Sequence, residues 1–219
     1  MPYRHFCIAA RALEVVGDRW TLLVVRDLLS GPKRFNELRR LLSQVTPRQL
    51  SLRLRSMEAD GLVEHREVPD SNDWHYALTD SGRALAPVVH ALAAWGAEHA
   101  MRPPAEGEPV HPEHLVNGAV ALLTTRRVRP PRATRWSFAF PDGARTVEWT
   151  GHRWQLGTTD EGARVTVSAE PRDLALAIAE PSRLPTLLGT RITVDGDPAE
   201  IALMMSVVVP MDHEKEPKR

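Results

Sequence analysis

Apolar residues recur at helical spacing in the first part of the chain and predict four helices before any strand. The first helix is predicted to stop at Gly17-Asp18 and the second to close at Gly31-Pro32. The third covers residues 35–42, and the fourth runs from Thr46 to Gly61. Their apolar stripes are formed by Phe6, Ala9, Leu13 and Val16, by Trp20, Leu23, Val24 and Leu28, by Leu38, Leu41 and Leu42, and by Leu50, Leu54 and Met57.

The fourth helix has a well-defined start. Thr46 is a favourable N-cap residue, Pro47 fits the first helical position, and Gln49 completes a capping box. Two short strands follow at residues 62–68 and 75–78, joined by the loop-forming residues 69–73. The order of helices and hairpin predicts a helix-turn-helix with a wing.

A further helix is predicted after the hairpin, capped by Thr79-Asp80. Pro87 lies inside this helix and predicts a bend, because proline lacks a backbone donor and clashes with the preceding turn. The apolar stripe of this helix is formed by Leu85, Val88, Val89, Leu92 and Trp95.

The chain changes character at residues 103–110, where Pro, Gly and Glu occur without an apolar period, as in a linker. We therefore predict two domains, residues 1–102 and 111–219. The second is predicted to have strands at residues 136–140, 146–150, 153–158, 164–169 and 191–194, and helices at 111–123, 171–179, 181–188 and from 198. The predicted fold class is α+β: a winged helix-turn-helix followed by an α/β domain in which helices cover an antiparallel meander sheet.

Charge is unevenly distributed, although Lys+Arg and Asp+Glu are both 28. Residues 33–55 hold seven basic residues and one acid, a local charge of +6 in 23 residues. Such a patch is typical of a nucleic-acid-binding surface, while zero net charge excludes a generally polycationic coat protein. No apolar stretch approaches the roughly 20 residues of a membrane span, and no signal-peptide pattern is found. We therefore expect a cytoplasmic protein with no membrane partner.

The face of the fourth helix opposite its apolar stripe carries residue types that read DNA. A helical rotation of about 100° per residue places Arg48, Leu52 and Arg55 there, with Gln49 and Ser51 at the margins. Arg pairs with guanine, Gln pairs with adenine, and an exposed Leu contacts the thymine methyl group. Phosphates are better reached from the third helix, by Arg39 and Arg40. The alternative is a solvated basic face on a helical bundle.

The segment from Cys7 to Trp95 resembles the HxlR family of bacterial winged-helix transcription regulators. The landmarks that carry the resemblance are Cys7, Gly17-Asp18-Arg19-Trp20-Thr21, Arg34-Phe35-Asn36-Glu37-Leu38, Thr46-Pro47-Arg48-Gln49-Leu50-Ser51, Glu58-Ala59-Asp60-Gly61-Leu62-Val63, Tyr76-Ala77-Leu78-Thr79 and Trp95. The resemblance implies double-stranded DNA as partner, a recognition helix at residues 46–55 and a hairpin tip that approaches the minor groove. The expected DNA-binding residues are Arg34, Arg39, Arg40, Thr46, Pro47, Arg48, Gln49, Ser51, Leu52, Arg55 and Arg66.

The wing departs from the family's pattern. Where the family usually has Pro followed by a basic residue, this chain has Asn72-Asp73-Trp74. Asp70 and Asp73 near the tip should repel phosphate, so a strong wing contact with DNA is not expected.

The helix after the hairpin is expected to pair two subunits. The first domain has little core left to receive its stripe, and the resemblance implies pairing through terminal helices. A homodimer would set two recognition helices about one DNA turn apart, or a multiple of it, and would read a palindromic operator. Repression is the simplest outcome of such binding.

Cys7 has two interpretations. A lone cysteine is most often a small buried apolar residue. Some regulators of the HxlR type, however, use a cysteine in this position to sense oxidants or electrophiles, and Arg4 and His5 nearby could favour the thiolate. Since the chain has one Cys, sensing would require an intersubunit disulfide or an adduct.

The second half resembles the sterol-carrier-protein-type lipid-binding fold. The residues that carry the resemblance are Arg164-Val165-Thr166-Val167-Ser168-Ala169, Pro171-Arg172-Asp173-Leu174 and Ile192-Thr193-Val194-Asp195-Gly196-Asp197-Pro198. The resemblance implies a hydrophobic tunnel for a small-molecule effector, walled by Trp136, Phe138, Phe140, Trp149, Trp154, Met204 and Met205. The alternative is that these side chains fill the domain core. A rival function is a lipid carrier whose winged helix mediates protein contacts.

Catalysis is not expected. The sequence has no nucleophile elbow, P-loop, dinucleotide fingerprint or zinc-protease motif. His111 and His114 lack an apparent third ligand, so no metal and no cofactor are expected.

Overall fold

The computed structural model describes residues 3–67 and 73–208, with side chains described as far as residue 206. Contacts divide the chain into two compact units, Met1–Val89 and His90–Arg219. The boundary falls inside a helix, and the predicted linker at residues 103–110 lies wholly within the second unit. In the described part of the chain, no helix is long and apolar enough to span a membrane.

Four helices open the first unit, as the apolar spacing predicted. They are α1 (Ile8–Val16), α2 (Thr21–Leu28), α3 (Phe35–Leu41) and α4 (Pro47–Ala59). The predicted stripe of α1 is not a core stripe: Phe6 precedes the helix and is 90% exposed, and Leu13 is exposed. Ala10 is the residue of α1 that is buried. Helical spacing alone therefore identified the helix but not its burial.

A two-stranded antiparallel hairpin follows α4. Strand β1 (Val63–Glu67) pairs with β2 (Trp74–Leu78), so that Val63 faces Leu78 across the ladder. Lys33 extends the pairing, because its N–H donates to the Tyr76 carbonyl at 3.0 Å and its carbonyl accepts from the Tyr76 N–H at 2.8 Å. The predicted turn lies mostly outside the described residues, including Asp70.

The core of the first unit lies between α2, α3, α4 and the base of the hairpin. Leu50, Leu54 and Met57 are the predicted inward residues of α4, and all three are fully buried. Further buried members of this core are Val24, Val25, Leu28, Leu38, Leu42, Val45, Leu62, Val63, Leu78 and Val89. The elements and their order are those of a winged helix-turn-helix.

The helix predicted after the hairpin is interrupted rather than bent. Thr79 caps a short helix α5 (Asp80–Arg83), accepting from the Gly82 N–H at 3.1 Å, and α6 (Ala86–His99) begins separately. Pro87 lies in the first turn of α6, where the missing N–H removes no helical hydrogen bond. The break avoids the clash that an interior proline would cause.

The second unit combines a sheet with helices. Its elements are α7 (Pro112–Thr125), β3 (Thr134–Phe140), β4 (Gly143–Trp149), β5 (Trp154–Gly157), β6 (Val165–Ala169), α8 (Pro171–Ala179), a 3₁₀ turn (Pro181–Arg183), α9 (Leu184–Leu187), β7 (Ile192–Gly196) and α10 (Pro198–Val208). The helix predicted at residues 181–188 is thus a 3₁₀ turn followed by one short helix.

The sheet is mixed, not the antiparallel meander that was predicted. Its strand order is β5-β4-β3-β6-β7, and β3 pairs with β6 in parallel. The connection after β5 carries the chain to the other edge of β3, where the Arg164 N–H donates to the Arg135 carbonyl at 2.8 Å. Residue alternation within a strand does not reveal which neighbour it pairs with.

Candidate nucleic-acid interface

The start of α4 is fixed by the capping box that the sequence predicted. The Gln49 N–H donates to the Thr46 hydroxyl at 3.2 Å, and the Thr46 N–H donates to Gln49 Oε1 at 3.1 Å. Pro47 occupies the first turn. The Gln49 side chain therefore serves the cap, and its carbonyl oxygen is already engaged in the free protein.

The outer face of α4 presents two arginines and a leucine. Arg48 and Arg55 are exposed, and Leu52 is 56% exposed although it is apolar. Ser51 is half-buried at the margin of this face. Cation, apolar and cation in successive turns of one helix match the acceptor groups and methyl group of a major-groove edge.

Arg53, unlike the other arginines of α4, makes its contacts inside the protein. Its side chain is 14% exposed and lies 3.7 Å from both Asp18 and Asp60. It also donates to the Ser56 hydroxyl at 3.1 Å. Arg53 thus ties α4 to neighbouring loops, which agrees with its omission from the predicted DNA-binding residues.

Helix α3 adds cations beside α4. Leu38 is buried, whereas Arg39 and Arg40 are exposed, as predicted. Within the described residues, no carboxylate lies in ion-pairing distance of Arg39, Arg48 or Arg55. These guanidinium groups can therefore bind an anionic partner without first breaking an ion pair within the protein.

Two predicted DNA contacts are engaged inside the protein. Arg34 forms an ion pair with Asp73 and donates to His75 Nε2 at 3.3 Å. Arg66 forms an ion pair with Glu64 two residues away on the same strand. Asp73 and Glu64 therefore neutralise Arg34 and Arg66 within the protein. A weak contact of the wing with DNA stays a prediction.

An aromatic cluster on the hairpin was not predicted from the sequence. The His65 ring stacks on Tyr76 with ring centroids 4.4 Å apart and contacts Trp74 at 4.9 Å. Trp74 is nevertheless 50% exposed. Burial raises the pKa of the Tyr76 phenol, with Glu58 adding to the effect. These rings are aligned by the pairing register of β1 and β2, which could not be predicted from the sequence.

The predicted dimerisation stripe divides between two environments. Val89 is buried in the core of the first unit, and Leu85 packs against that core. Val89 is therefore not exposed as the prediction requires, whereas Leu85 is only partly buried and its role in dimerisation stays a prediction. Val88, Leu92 and Trp95 are exposed on α6, Trp95 at 59%. Their spacing places these three on one side of the helix.

Cys7 is the N-cap residue of α1 and is half-buried. Its neighbours Phe6 and Ile8 are both strongly exposed. The cysteine is therefore not a core residue of the described structure.

The residues predicted to wall a tunnel form the core of the second unit. All except Met205 are buried, and Met205 packs against the same core. The Trp154 ring lies 4.8 Å from Trp136 and 5.7 Å from Trp149, centroid to centroid. The Trp154 N–H donates to the Val128 carbonyl at 2.7 Å. Binding of an effector by these residues stays a prediction.

A buried carboxylate at the edge of this core, Glu200, was not predicted from the sequence. Glu200 accepts from the Thr134 hydroxyl at 2.9 Å and from the Trp136 N–H at 3.1 Å. Arg164 lies 3.3 Å from its second oxygen. Arg164 also binds Asp197, whose pKa is lowered by the Glu200 backbone N–H and by this arginine. These contacts are structural.

His111 and His114 do come together, with ring centroids 5.1 Å apart. Among the described residues, however, no group of three His, Cys, Asp or Glu side chains is arranged to hold a metal ion.

The fold and the α4 surface define a winged helix-turn-helix regulator, and comparisons identify its family. Residues 15–104 match the family described as HxlR-like helix-turn-helix. YybR, an uncharacterised HTH-type transcriptional regulator of Bacillus subtilis, is 40% identical over 99 residues, which cover 43% of this chain and 77% of YybR. Rv3095 of Mycobacterium tuberculosis, also described as an uncharacterised HTH-type transcriptional regulator, is 43% identical over 111 residues, or 49% of this chain and 67% of that protein. This chain belongs to the HxlR-like family of bacterial DNA-binding regulators.

Among solved structures, the redox regulator HypR in its reduced form is 35% identical and aligns with 42% of this chain and 92% of its own, with a TM-score of 0.40. The family match ends at residue 104. The sterol-carrier-like identity of the second unit therefore stays a prediction.

Proposed function

We propose that this protein is a homodimeric, sequence-specific transcriptional repressor that reads DNA with α4. The observation that carries the proposal is the outer face of α4, where Arg48, Leu52 and Arg55 are exposed on a capped helix. Leu52 is exposed to solvent between two arginines that have no carboxylate partner. This combination fits the groove of a DNA duplex better than it fits contact with water.

The roles of the cations follow from their positions. Arg48 lies in the first turn of α4, the part of a recognition helix that contacts base edges. Arg48 is proposed to bond guanine, and Leu52 to contact a thymine methyl group. Arg39 and Arg40 are proposed to bind phosphates and so to fix the register of α4 on the duplex.

The proposed dimer uses the exposed side of α6. Val88, Leu92 and Trp95 form an apolar strip that a monomer would leave in water. Two-fold pairing covers such a strip with its own copy. The two recognition helices would then address the halves of a palindromic operator.

The test is a titration of the purified protein against its own upstream intergenic DNA, with random DNA as competitor, at several salt concentrations. The proposal predicts a preference of at least about 10³ for one upstream sequence. Binding that depends on salt but shows no sequence preference in any upstream fragment would contradict it.

A second candidate function is thiol-based sensing. The observation in its favour is that Cys7 is the N-cap residue of α1 and is only half-buried, so a small oxidant or electrophile can reach it. An oxidant or electrophile should then change the DNA affinity of the wild-type protein and leave Cys7→Ser unaffected. An equal response of both proteins would contradict sensing.

The second unit is proposed to bind a hydrophobic effector. Met204 and Met205 support this, because methionine side chains adapt to irregular apolar ligands and both contact the aromatic core. The effector would change DNA affinity only by binding one of two arrangements of the dimer more tightly. Extraction of the purified protein with organic solvent, followed by mass spectrometry, should release a bound lipid. Protein that carries no lipid and is not stabilised by added fatty acids would contradict this role.

A further inference from the structure

Arginines of the second unit are almost all tied to a partner. Arg135 binds Glu148 at 2.8 Å, Arg145 binds Asp142 at 2.9 Å, and Arg191 binds Asp173 at 2.7 Å. Further arginines with partners are Arg102 and Arg183 with carboxylates, Arg164 with Asp197, Arg153 with Gln155, and Arg172 with three backbone carbonyls. The second unit thus normally neutralises or satisfies its guanidinium groups.

Arg127 and Arg129 depart from this pattern. Both are exposed, and within the described residues neither side chain has a carboxylate or hydrogen-bonding partner. They lie in a segment that we call the arginine loop, residues 126–132, which also contains Arg126 and Arg132. Residues 114–141 contain five arginines and no acid. Arg132 lies 3.7 Å from Asp197 and Arg135 is paired with Glu148. Arg127 and Arg129 are therefore the two cations that carry the argument.

Arg127 occupies a backbone position that normally takes glycine. Helix α7 ends in a Schellman motif. The Val128 N–H donates to the Leu123 carbonyl at 3.0 Å, and the Arg127 N–H donates to the Thr124 carbonyl at 3.1 Å. The residue at this position of the motif adopts the left-handed backbone conformation, and Arg127 accordingly has a φ of 54°. Every other described residue with a positive φ is a glycine. Arg127 thus adopts a conformation that its side chain disfavours.

The arginine loop is held in place between its two exposed side chains. Val128 packs against the core, and its carbonyl accepts from the Trp154 N–H at 2.7 Å. Pro130 and Pro131 follow, and proline fixes the backbone φ. Two unpaired cations on a fixed segment lose little conformational freedom when they bind, which favours binding of an anion.

We propose that the arginine loop binds the phosphate backbone of duplex DNA and makes a second, sequence-independent contact in addition to that of the winged helix. The inference rests on the proposed function, since DNA is the partner of the first unit. Exposed arginines without carboxylate partners in the first unit include Arg39, Arg48 and Arg55, so both units present the same chemistry. Arginine's planar group matches phosphate geometry and is charged at every physiological pH.

The test uses the full chain with Arg127→Gly and Arg129→Gln together. Glycine is the residue that the left-handed position prefers, so the variant should melt at the same temperature as the wild type or higher. The matched control is the pair Arg183→Gln and Arg153→Gln, which removes the same charge from two exposed arginines that have partners. Both variants are titrated with operator DNA and with random DNA over a range of salt concentrations.

The proposal predicts that the arginine-loop variant binds DNA about threefold to tenfold more weakly, equally on operator and random DNA. The slope of log affinity against log salt concentration should fall in magnitude by about 0.9 for each phosphate that the variant no longer binds. The control variant should change neither quantity by as much.

An arginine-loop variant that matches the control in affinity and salt slope overturns the inference. So does a variant that binds DNA like the wild type but no longer binds vesicles of anionic phospholipid. Failure of the proposed function is separate: it would appear as equal affinity of the wild type for operator and random DNA, while the weaker binding to random DNA still tests the arginine loop.

Discussion

Arg34 at the N-cap of α3 forms an ion pair with Asp73, which directly precedes β2 at the turn end of the hairpin. The Arg34 side chain is thereby held by the hairpin and not by solvent, and the adjacent His75 accepts from its Nε. The pair places an acid at the wing and engages the Arg34 cation, and we expect both to weaken contact with phosphate.

Asp73→Asn should increase DNA affinity. The substitution removes a charge that repels phosphate and frees Arg34 to bind it, while an exposed ion pair of this kind adds little to stability. We expect about threefold to tenfold tighter binding at low salt, with a steeper salt dependence. Fluorescence anisotropy with operator DNA measures both. The control is Asp142→Asn, which removes an exposed acid of the second unit. Equal affinities of the two variants would show that the ion pair with Asp73 does not keep Arg34 from binding phosphate.

Thr46→Ala should destabilise the first unit by removing the cap of α4. The Thr46 hydroxyl accepts from the Gln49 N–H at 3.2 Å, and removal of such a cap costs about 1 kcal/mol. Urea denaturation followed by circular dichroism measures the change in unfolding free energy. Thr46→Ser retains the hydroxyl and should unfold like the wild type. If serine and alanine destabilise equally, the cap is not the cause.

Trp95→Glu should dissociate the dimer. Trp95 is the most exposed of the three apolar residues on that side of α6, and placing a charge at the centre of an interface costs about 2 kcal/mol or more, or about thirtyfold in the dimer dissociation constant. Sedimentation analysis over a range of concentrations gives this constant. Leu188→Glu, at an exposed leucine after α9, should leave it unchanged. A dimer as tight as the wild type in Trp95→Glu would exclude the α6 interface.

Stability should depend on acid through Glu148. Hydrogen bonds from Arg135 and Gln155 lower the pKa of the Glu148 carboxyl below its ordinary value of 4.5. The folded state therefore holds the charged form more strongly than the unfolded chain does, which adds stability above pH 4.5. This contribution disappears as the pH falls through the lower folded pKa.

Glu148→Gln should thus be less stable than the wild type near neutral pH, and the difference should shrink as the pH is lowered below about 4.5. Chemical denaturation at several pH values measures the difference. Glu106→Gln, at an exposed glutamate, is the control. A difference that stays constant from neutral to acid pH would show that the carboxylate charge is not responsible.

Local signals explain what the sequence could predict. The cap formed by Thr46 and Gln49 and the stripe of Leu50, Leu54 and Met57 depend on neighbours within α4, and the structure confirms them. The family landmarks follow the same segments, and the family is confirmed. The outward position of Arg48 and Arg55 follows directly from the helical period.

Contacts between distant segments explain what the sequence could not predict. The parallel pairing of β3 with β6 depends on a crossing loop and not on alternation within either strand. The ion pair of Arg34 with Asp73 and the stacking of His65 on Tyr76 depend on the hairpin register. Burial of Val89 in the first unit's core, which removed it from the predicted dimer face, likewise depends on tertiary packing.

The most direct test of the account compares Arg48→Ala with Arg39→Ala on operators in which each base pair is varied in turn. We predict that Arg48→Ala costs about 1–3 kcal/mol at one base position and relaxes specificity there, while Arg39→Ala weakens binding to all sequences alike and lowers the salt slope by about one. An equal weakening on every sequence for Arg48→Ala would contradict the central claim that α4 reads bases.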